Sequence, residues 1–298
     1  MTGHRRVGGS DISDELRAVL APLLARPAST AVLTDFDGTL SPIVRDPSEA
    51  RPLDGSAEVM AELARSFAVV AVISGRPVSY LEEHLALPVP TDPEHRVRLV
   101  GLYGLERSWG DGRITVEPEA AAWGEVVADA VARLRQGAPR GVLVEPKGLA
   151  VTVHWRGAPR SEGWVNTAVG AEAERSGLRA HPGRMSVELR PPLEVDKGSV
   201  VRGLAASCSA ACYFGDDLGD LPAFETLADM GREGMSTLSI AAVDDESDPS
   251  VAAAADVVVA GPRRALAVLA WLAAAGGSAA RGEGRAAGTW EGPGDSGS

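Results

Sequence analysis

An unbroken apolar run, residues 31–34 (Ala-Val-Leu-Thr), ends directly on Asp35-Phe36-Asp37-Gly38-Thr39-Leu40. No other stretch constrains the fold of this chain as strongly. A short run of this kind reads as an interior strand, and here the strand stops by presenting two carboxylates. Alternate side chains of an extended segment share a face, so Asp35 and Asp37 are expected to point the same way. Two like charges held that close repel. They are tolerated when a cation lies between them or one acid keeps its proton. Gly38 permits a sharp turn and the close approach of a ligand to the backbone. Acids and a glycine turn at the C-terminal end of a strand mark the edge where open α/β sheets place their chemistry.

The neighbouring segments supply the sheet. Apolar runs at 68–73, 96–102 and 211–214 alternate with helical spacing at 11–24, 56–65, 78–87, 198–206, 221–228 and 262–275, and short strands are expected at 238–243 and 257–259. Strands alternating with helices predict a doubly wound, mostly parallel sheet. The pattern changes in between. Residues 109–116 read as a hairpin with Asp111-Gly112 at its tip, 119–136 as one long helix, and 142–145, 150–156 and 184–189 as strands, with a helix at 163–176 before the last. These strands alternate apolar and polar residues, which predicts a small, one-sided antiparallel sheet. The expected layout is an α/β core of residues 1–106 and 191–275, an α+β cap at 107–190, and a disordered tail at 276–298 rich in Gly, Ala and Ser.

A net charge of −12 over 298 residues argues against a nucleic-acid or anionic-membrane partner. It would also repel a phosphorylated ligand unless Lys, Arg or a metal is concentrated locally. The two cysteines, Cys208 and Cys212, have no matching His/Cys set, so neither a zinc site nor a disulfide framework is expected. Residues 1–10 are polar and glycine-rich, and no apolar run is long enough to span a bilayer. A cytoplasmic monomer is the expectation.

Four separated segments each lie at or near a strand end: Asp35 with Asp37, then Ser74-Gly75-Arg76, then Lys197, then Asp216, Asp217 and Asp220. Singly, each is an ordinary turn or a surface charge. In this order they form a scheme for phosphoryl transfer. Carboxylates from two strand ends can bind Mg²⁺, a hard cation that prefers oxygen. Asp35 could attack phosphorus to give an aspartyl phosphate, and Asp37 could protonate the leaving alcohol and later deprotonate water. Ser74 and Lys197 could hold the transferring oxygens.

The succession DFDGTL, SGR, Lys197, GDD resembles the haloacid-dehalogenase (HAD) superfamily of phosphatases. That resemblance implies a HAD-like Rossmannoid core with Asp35 as nucleophile, Asp37 as acid/base, and Ser74 and Lys197 on the phosphate. It implies Mg²⁺ held by Asp35, the Asp37 carbonyl and the Asp216–Asp217 pair, with Asp220 supporting the metal shell. The longer strings DFDGTLSPI at 35–43, SGRP at 74–77, GLYGLE at 101–106, VHWR at 153–156 and VELRP at 187–191 are similar to trehalose 6-phosphate phosphatases. That family inserts a cap between the second and third motifs. The chain departs from the family at Leu218-Gly219-Asp220-Leu221, where Thr and Glu positions are lost.

On the predicted cap strands Val151, Val153 and Trp155 share one face, as do Met185, Val187 and Leu189. The opposite face carries Thr152, His154, Arg184, Ser186, Glu188 and Arg190. Such a face is either solvated or turned toward the core. In the second case Lys147, His154, Arg184 and Glu188 offer donors and acceptors to sugar hydroxyls. Glu106, at the core–cap junction, is a substrate ligand or a hinge residue, and Gly75 and Arg76 flank the phosphate. The expected reaction is Mg²⁺-dependent hydrolysis of trehalose 6-phosphate. The alternatives are another sugar phosphate such as sucrose 6-phosphate, a phosphomutase, or a non-catalytic sugar-phosphate sensor.

Overall fold

Apolar runs become strands and amphipathic stretches become helices on either side of them. The computed structural model describes residues 5–7, 12–44, 46–183, 185–245 and 247–286, with backbone alone for 5–7 and 279–286. In chain order the strands are β1 (Arg5–Val7), β2 (Thr30–Thr34), β3 (Val69–Ile73), β4 (Arg98–Gly101), β5 (Glu106–Ser108), β6 (Ile114–Val116), β7 (Leu143–Pro146), β8 (Val151–His154), β9 (Arg179–Gly183), β10 (Ser186–Arg190), β11 (Ala210–Gly215), β12 (Ser236–Val243) and β13 (Val257–Ala260). Nine of them form one sheet in the order β1-β13-β12-β11-β2-β3-β4-β5-β6, and four form a second in the order β7-β8-β10-β9.

The large sheet is parallel from β1 through β4 and antiparallel at β5 and β6. Both faces are covered, which the continuous apolar runs require. Val32, Val70, Val72, Cys212 and Phe214 pack on one face with Leu16, Leu20, Met60, Leu63, Leu81 and Leu269 from four helices. Ala31, Leu33, Ala71, Ile73, Ala211 and Tyr213 pack on the other with Val201, Phe224, Leu227 and Val251. Adjacent residues of one strand thus serve opposite cores, as in a doubly wound fold. Strand order reverses between β2 and β11, and the crevice at such a switch point is where ligands bind.

The small sheet is antiparallel and one-sided. Val144, Val151, Val153, Trp155, Val187 and Leu189 pack against Val127, Val131, Leu134, Val165 and Val169 of two helices. Its other face is polar.

Several local expectations need correction. The hairpin of β5 and β6 extends the large sheet through β4 and does not join the small one. The helix expected over 119–136 is broken into Pro118–Ala121 and Gly124–Gly137. Its two halves serve different cores: Ala120 packs with Leu102, Leu105 and Leu149 at the junction, and Val127 packs within the small sheet's core. β1 and β9 had no apolar pattern to announce them. β9 carries Pro182 on an edge, where a missing N–H is tolerated.

The disordered tail expected from residue 276 is also corrected, because the last helix runs Gly261–Ala286. Gly276 is there for proximity: a Cβ would lie 2.6 Å from the ring of buried Phe67. Residues 287–298, with Trp290, lie outside the described residues. No helix among the described residues is long and apolar enough to cross a membrane. In an exposed helix Gly→Ala stabilises by roughly 1 kcal/mol. Gly276→Ala is expected to do the opposite and lower the midpoint of urea unfolding. A stabilised variant would show that the helix end does not pack as described.

Candidate active site

β2, β3 and β11 are adjacent and parallel, so their C-terminal ends present Asp35, Ser74 and Asp216 along one edge. The ladder continues one residue beyond β2, with the Asp35 N–H donating to the Phe214 carbonyl at 2.8 Å. Extended geometry ends there, and with it the argument that Asp35 and Asp37 share a face. Phe36 is buried, and the two acids take different partners.

Asp35 faces Lys197, whose Nζ lies 3.0 Å from Oδ2. Lys197 opens the helix Lys197–Ala205, which is held at its start by a reciprocal cap between Asp196 and Ser199. Its ammonium also lies 2.5 Å from Asp220 Oδ1. Asp35, Lys197 and Asp220 are all buried. Burial by itself would lower the lysine pKa, but Asp220 and Asp35 outweigh it and hold the group well above its ordinary value. Burial drives the Asp35 pKa well up, Lys197 offsets this only in part, and Asp220, Asp217 and Asp37 add to the rise.

Asp220 is saturated. Oδ1 accepts from Lys197 and from the Tyr213 hydroxyl at 2.6 Å, and Oδ2 accepts from the N–H groups of Asp216 and Asp217 at 2.8 and 3.2 Å. Asp217 is exposed and caps the turn at Leu218–Asp220 by accepting from the Gly219 N–H at 2.8 Å. The loop that departs from the family string is therefore built on two acids that it retains.

Asp35 Oδ1 and Asp216 Oδ1 are buried without a hydrogen-bond partner. Oxygens of Asp35, Asp216 and Asp220 lie within 4.8 Å of one another. Unpartnered buried carboxylate oxygens are costly, and a metal cation between them would remove that cost. The donor set is all oxygen, as a hard cation requires. Gly38, with φ of 72°, makes the cluster possible: a Cβ there would fall 1.9 Å from Asp216 Oδ2.

Asp37 is gripped by Arg76, whose Nε and Nη2 each donate at 2.8 Å to separate carboxylate oxygens. Arg76 Nη1 donates to the Pro47 carbonyl at 2.8 Å, and its guanidinium lies over the Tyr80 ring. Arg76 is thus committed within the protein rather than left free for a ligand. Ser74 Oγ accepts from the Arg76 N–H at 3.1 Å. Glu106 accepts from the Val78 N–H at 2.8 Å, capping the helix Val78–Leu85, while its Oε1 faces Gly148. Burial raises its pKa.

The polar face of the small sheet turns toward this edge. Glu188 is buried and accepts from Lys147 Nζ and Thr152 Oγ1, both at 2.9 Å, and from Arg190 Nε at 2.5 Å. His154 Nε2 lies 2.9 Å from Glu145, which lies 3.8 Å from Arg76. Arg184 lies outside the described residues. Glu145, Tyr103 and Tyr213 were not singled out from the sequence, and Arg190 was placed on the polar face of its strand without a role. Alternation could have found Glu145 as well, since it lies two residues before Lys147 at the end of β7. Nothing local announces the tyrosines.

A sequence model of the family described as trehalose-phosphatase matches residues 33–260. The chain is 38% identical over 242 residues to the trehalose-phosphate phosphatase of Mycobacterium tuberculosis, covering 77% of this chain and 59% of that protein. It is 37% identical over 268 residues to that of Mycolicibacterium paratuberculosis, covering 85% and 64%. The chain thus spans about three fifths of the length of these curated relatives. A crystal structure of a trehalose-6-phosphate phosphatase related protein matches with a TM-score of 0.69 at 23% identity, covering 83% of this chain and 99% of that one.

The Glu188 cluster gives a pH signature. Burial would raise the Glu188 pKa, but Lys147 and Arg190 prevail and pull it from 4.5 to about 2. A depressed carboxyl stabilises the fold above its unfolded pKa and loses that contribution as pH falls through its folded pKa. Unfolding free energy is therefore expected to drop by about 3 kcal/mol between pH 5 and pH 2 from this group. Glu188→Gln should remove that part of the slope in urea titrations across the range. An unchanged slope would contradict the assignment.

Proposed function

The chain belongs to the trehalose-phosphatase family, and from that premise we propose that it hydrolyses trehalose 6-phosphate to trehalose and phosphate through an aspartyl phosphate on Asp35. The observation that carries the reading is the state of Asp35. One of its oxygens is held by a buried ammonium, and the other is buried and free beside the free oxygen of Asp216.

Mg²⁺ is the proposed cation, with Asp35, Asp216 and the Asp37 carbonyl to hold it and Asp217 and Asp220 to shape its loop. When bound, it supplies the positive charge that admits a phosphate dianion among acids and offsets charge in the transition state. Lys197 and Ser74 hold two of the phosphoryl oxygens. An Asp35 oxygen forms a bond to phosphorus as the bond from phosphorus to the sugar oxygen breaks. Asp37, released from Arg76, gives a proton to that oxygen, and the alcohol leaves. Asp37 then takes a proton from water as the water oxygen bonds to phosphorus, and the Asp35–phosphorus bond breaks to free inorganic phosphate. The small sheet, set as an insertion between Glu117 and Arg190, selects the leaving group: Glu145, Lys147, His154 and Glu188 exchange their mutual contacts for sugar hydroxyls. The partner is thus a small sugar phosphate, acted on by a cytoplasmic monomer.

Phosphate release from trehalose 6-phosphate, sucrose 6-phosphate and glucose 6-phosphate tests the reading. The first is expected to be preferred by at least about tenfold in kcat/KM, and EDTA is expected to abolish turnover until Mg²⁺ is restored. Equal rates across the panel would defeat the substrate assignment. Activity in EDTA would defeat the metal. Asp35→Asn is expected to lose at least about 10³-fold in kcat, and substantial residual turnover would defeat the covalent step.

A further inference from the structure

Leu102 and Tyr103 stand in succession in left-handed backbone, with φ of 49° and 60°. That conformation is unfavourable for residues with a side chain, and a non-glycine pair persists only where the surroundings impose it. Here the pair grips the turn after β3. The Leu102 N–H donates to the Arg76 carbonyl and the Tyr103 N–H to the Ser74 carbonyl, both at 3.0 Å. Ser74-Gly75-Arg76 is clamped at each end. The Tyr103 side chain closes over the middle, since a Cβ on Gly75 would come within 2.5 Å of the phenolic oxygen.

The same ring carries a group from the small sheet. The Arg190 guanidinium carbon lies 3.3 Å from the ring centroid. Arg190 ends β10 and donates to Glu188, which also holds Lys147 and Thr152. Lys197 Nζ lies 6.0 Å from the ring centroid. Tyr103 is therefore in contact with the turn that carries Ser74 and with the arginine that seats Glu188. A planar, rigid ring between two such groups acts as a spacer, and its π face attracts the guanidinium.

We propose that Tyr103 is a positioning residue that sets the separation between the sugar-facing carboxylate cluster and the phosphate-holding turn, and so determines which sugar phosphates fit. This rests on the phosphatase reading above. A ligand that must reach Ser74 and Glu188 at once depends on the spacer. p-Nitrophenyl phosphate has no hydroxyls for Glu188 and depends on it less.

The test is the ratio of kcat/KM for trehalose 6-phosphate to that for p-nitrophenyl phosphate. It is measured for the unsubstituted chain, Tyr103→Phe, Tyr103→Leu, Arg190→Met, Arg190→Lys and the Leu/Met double variant. Tyr103→Phe keeps the ring and should hold the ratio within about twofold. Tyr103→Leu should lower it at least about tenfold, chiefly through the KM for the sugar phosphate. Arg190→Met should lower it at least as much, since it also removes the bond to Glu188, and the double variant should fall little below Arg190→Met alone, because the Tyr103–Arg190 contact is lost in both. Circular dichroism reports folding. If Tyr103→Leu does not fold, Arg190→Lys decides: it keeps a cation for Glu188 but not the flat guanidinium on the ring, so the ratio should still fall and an unchanged ratio overturns the proposal.

A ratio unchanged in Tyr103→Leu and Arg190→Met, equal losses on both substrates, or fully additive losses would overturn the proposal. If the unsubstituted chain cleaves p-nitrophenyl phosphate but prefers another sugar phosphate, the substrate reading fails separately. The ratio is then taken with the preferred sugar, and the role of Tyr103 is still decided.

Discussion

The ammonium of Lys197 is buried between Asp35 and Asp220, 3.0 and 2.5 Å away. Much of the site's geometry follows from it. A buried ion pair contributes little net stability, because desolvation of the charges offsets their attraction, but removal of one partner leaves an uncompensated charge. The three charges therefore fix one another's positions. Asp220 passes that constraint on, since its second oxygen gathers the N–H groups of Asp216 and Asp217 and so sets the loop after β11. One lysine does not balance the neighbouring acids, and the buried oxygens of Asp35 and Asp216 that lack a hydrogen-bond partner could take up further positive charge.

Around this anchor the two sheets divide the physical work. The large one buries both faces and holds its strand ends rigidly in register. The small one buries one face and turns the other toward those ends. Among the described residues, polar contacts that cross between them at the cleft include Arg76 with Glu145 and Tyr103 with Arg190. Both crossings use arginine, whose planar fork can hold a carboxylate or lie on a ring while remaining charged. Each arginine also pairs with a carboxylate in its own part of the molecule, Asp37 for Arg76 and Glu188 for Arg190. Groups on the two sides of the cleft are thereby held in fixed relation.

Legibility in the sequence tracked the range of the interaction involved. Runs such as 31–34 and 211–214 announced interior strands because a strand buried on both faces has to be apolar throughout. Alternation at 150–156 and 184–189 announced a one-sided sheet. Gly276 was misread because glycine in a sequence suggests freedom, whereas here it admits the Phe67 ring. The segment 109–116 was legible as a hairpin, but its place in the large sheet comes from the pairing of β5 with β4, which nothing in the hairpin's own residues specifies. The Arg76–Asp37 pair joins residues 39 apart, and nothing in either segment specifies the other.

From the sequence alone come the alternation of strand and helix, the placing of Asp35, Ser74 and Asp216 at strand ends, and the division of the cap strands into an apolar and a polar face. These depend on backbone periodicity and on hydrophobic burial, and both are written locally. Only the tertiary structure decided that Asp220 is spent on Lys197 and Tyr213, that Asp37 is held by Arg76, and that Tyr103 stands between Gly75 and Arg190. Those outcomes depend on which charges and rings meet after the chain has closed on itself. Coulomb attraction and packing act through space, so partners distant in sequence are chosen by the fold.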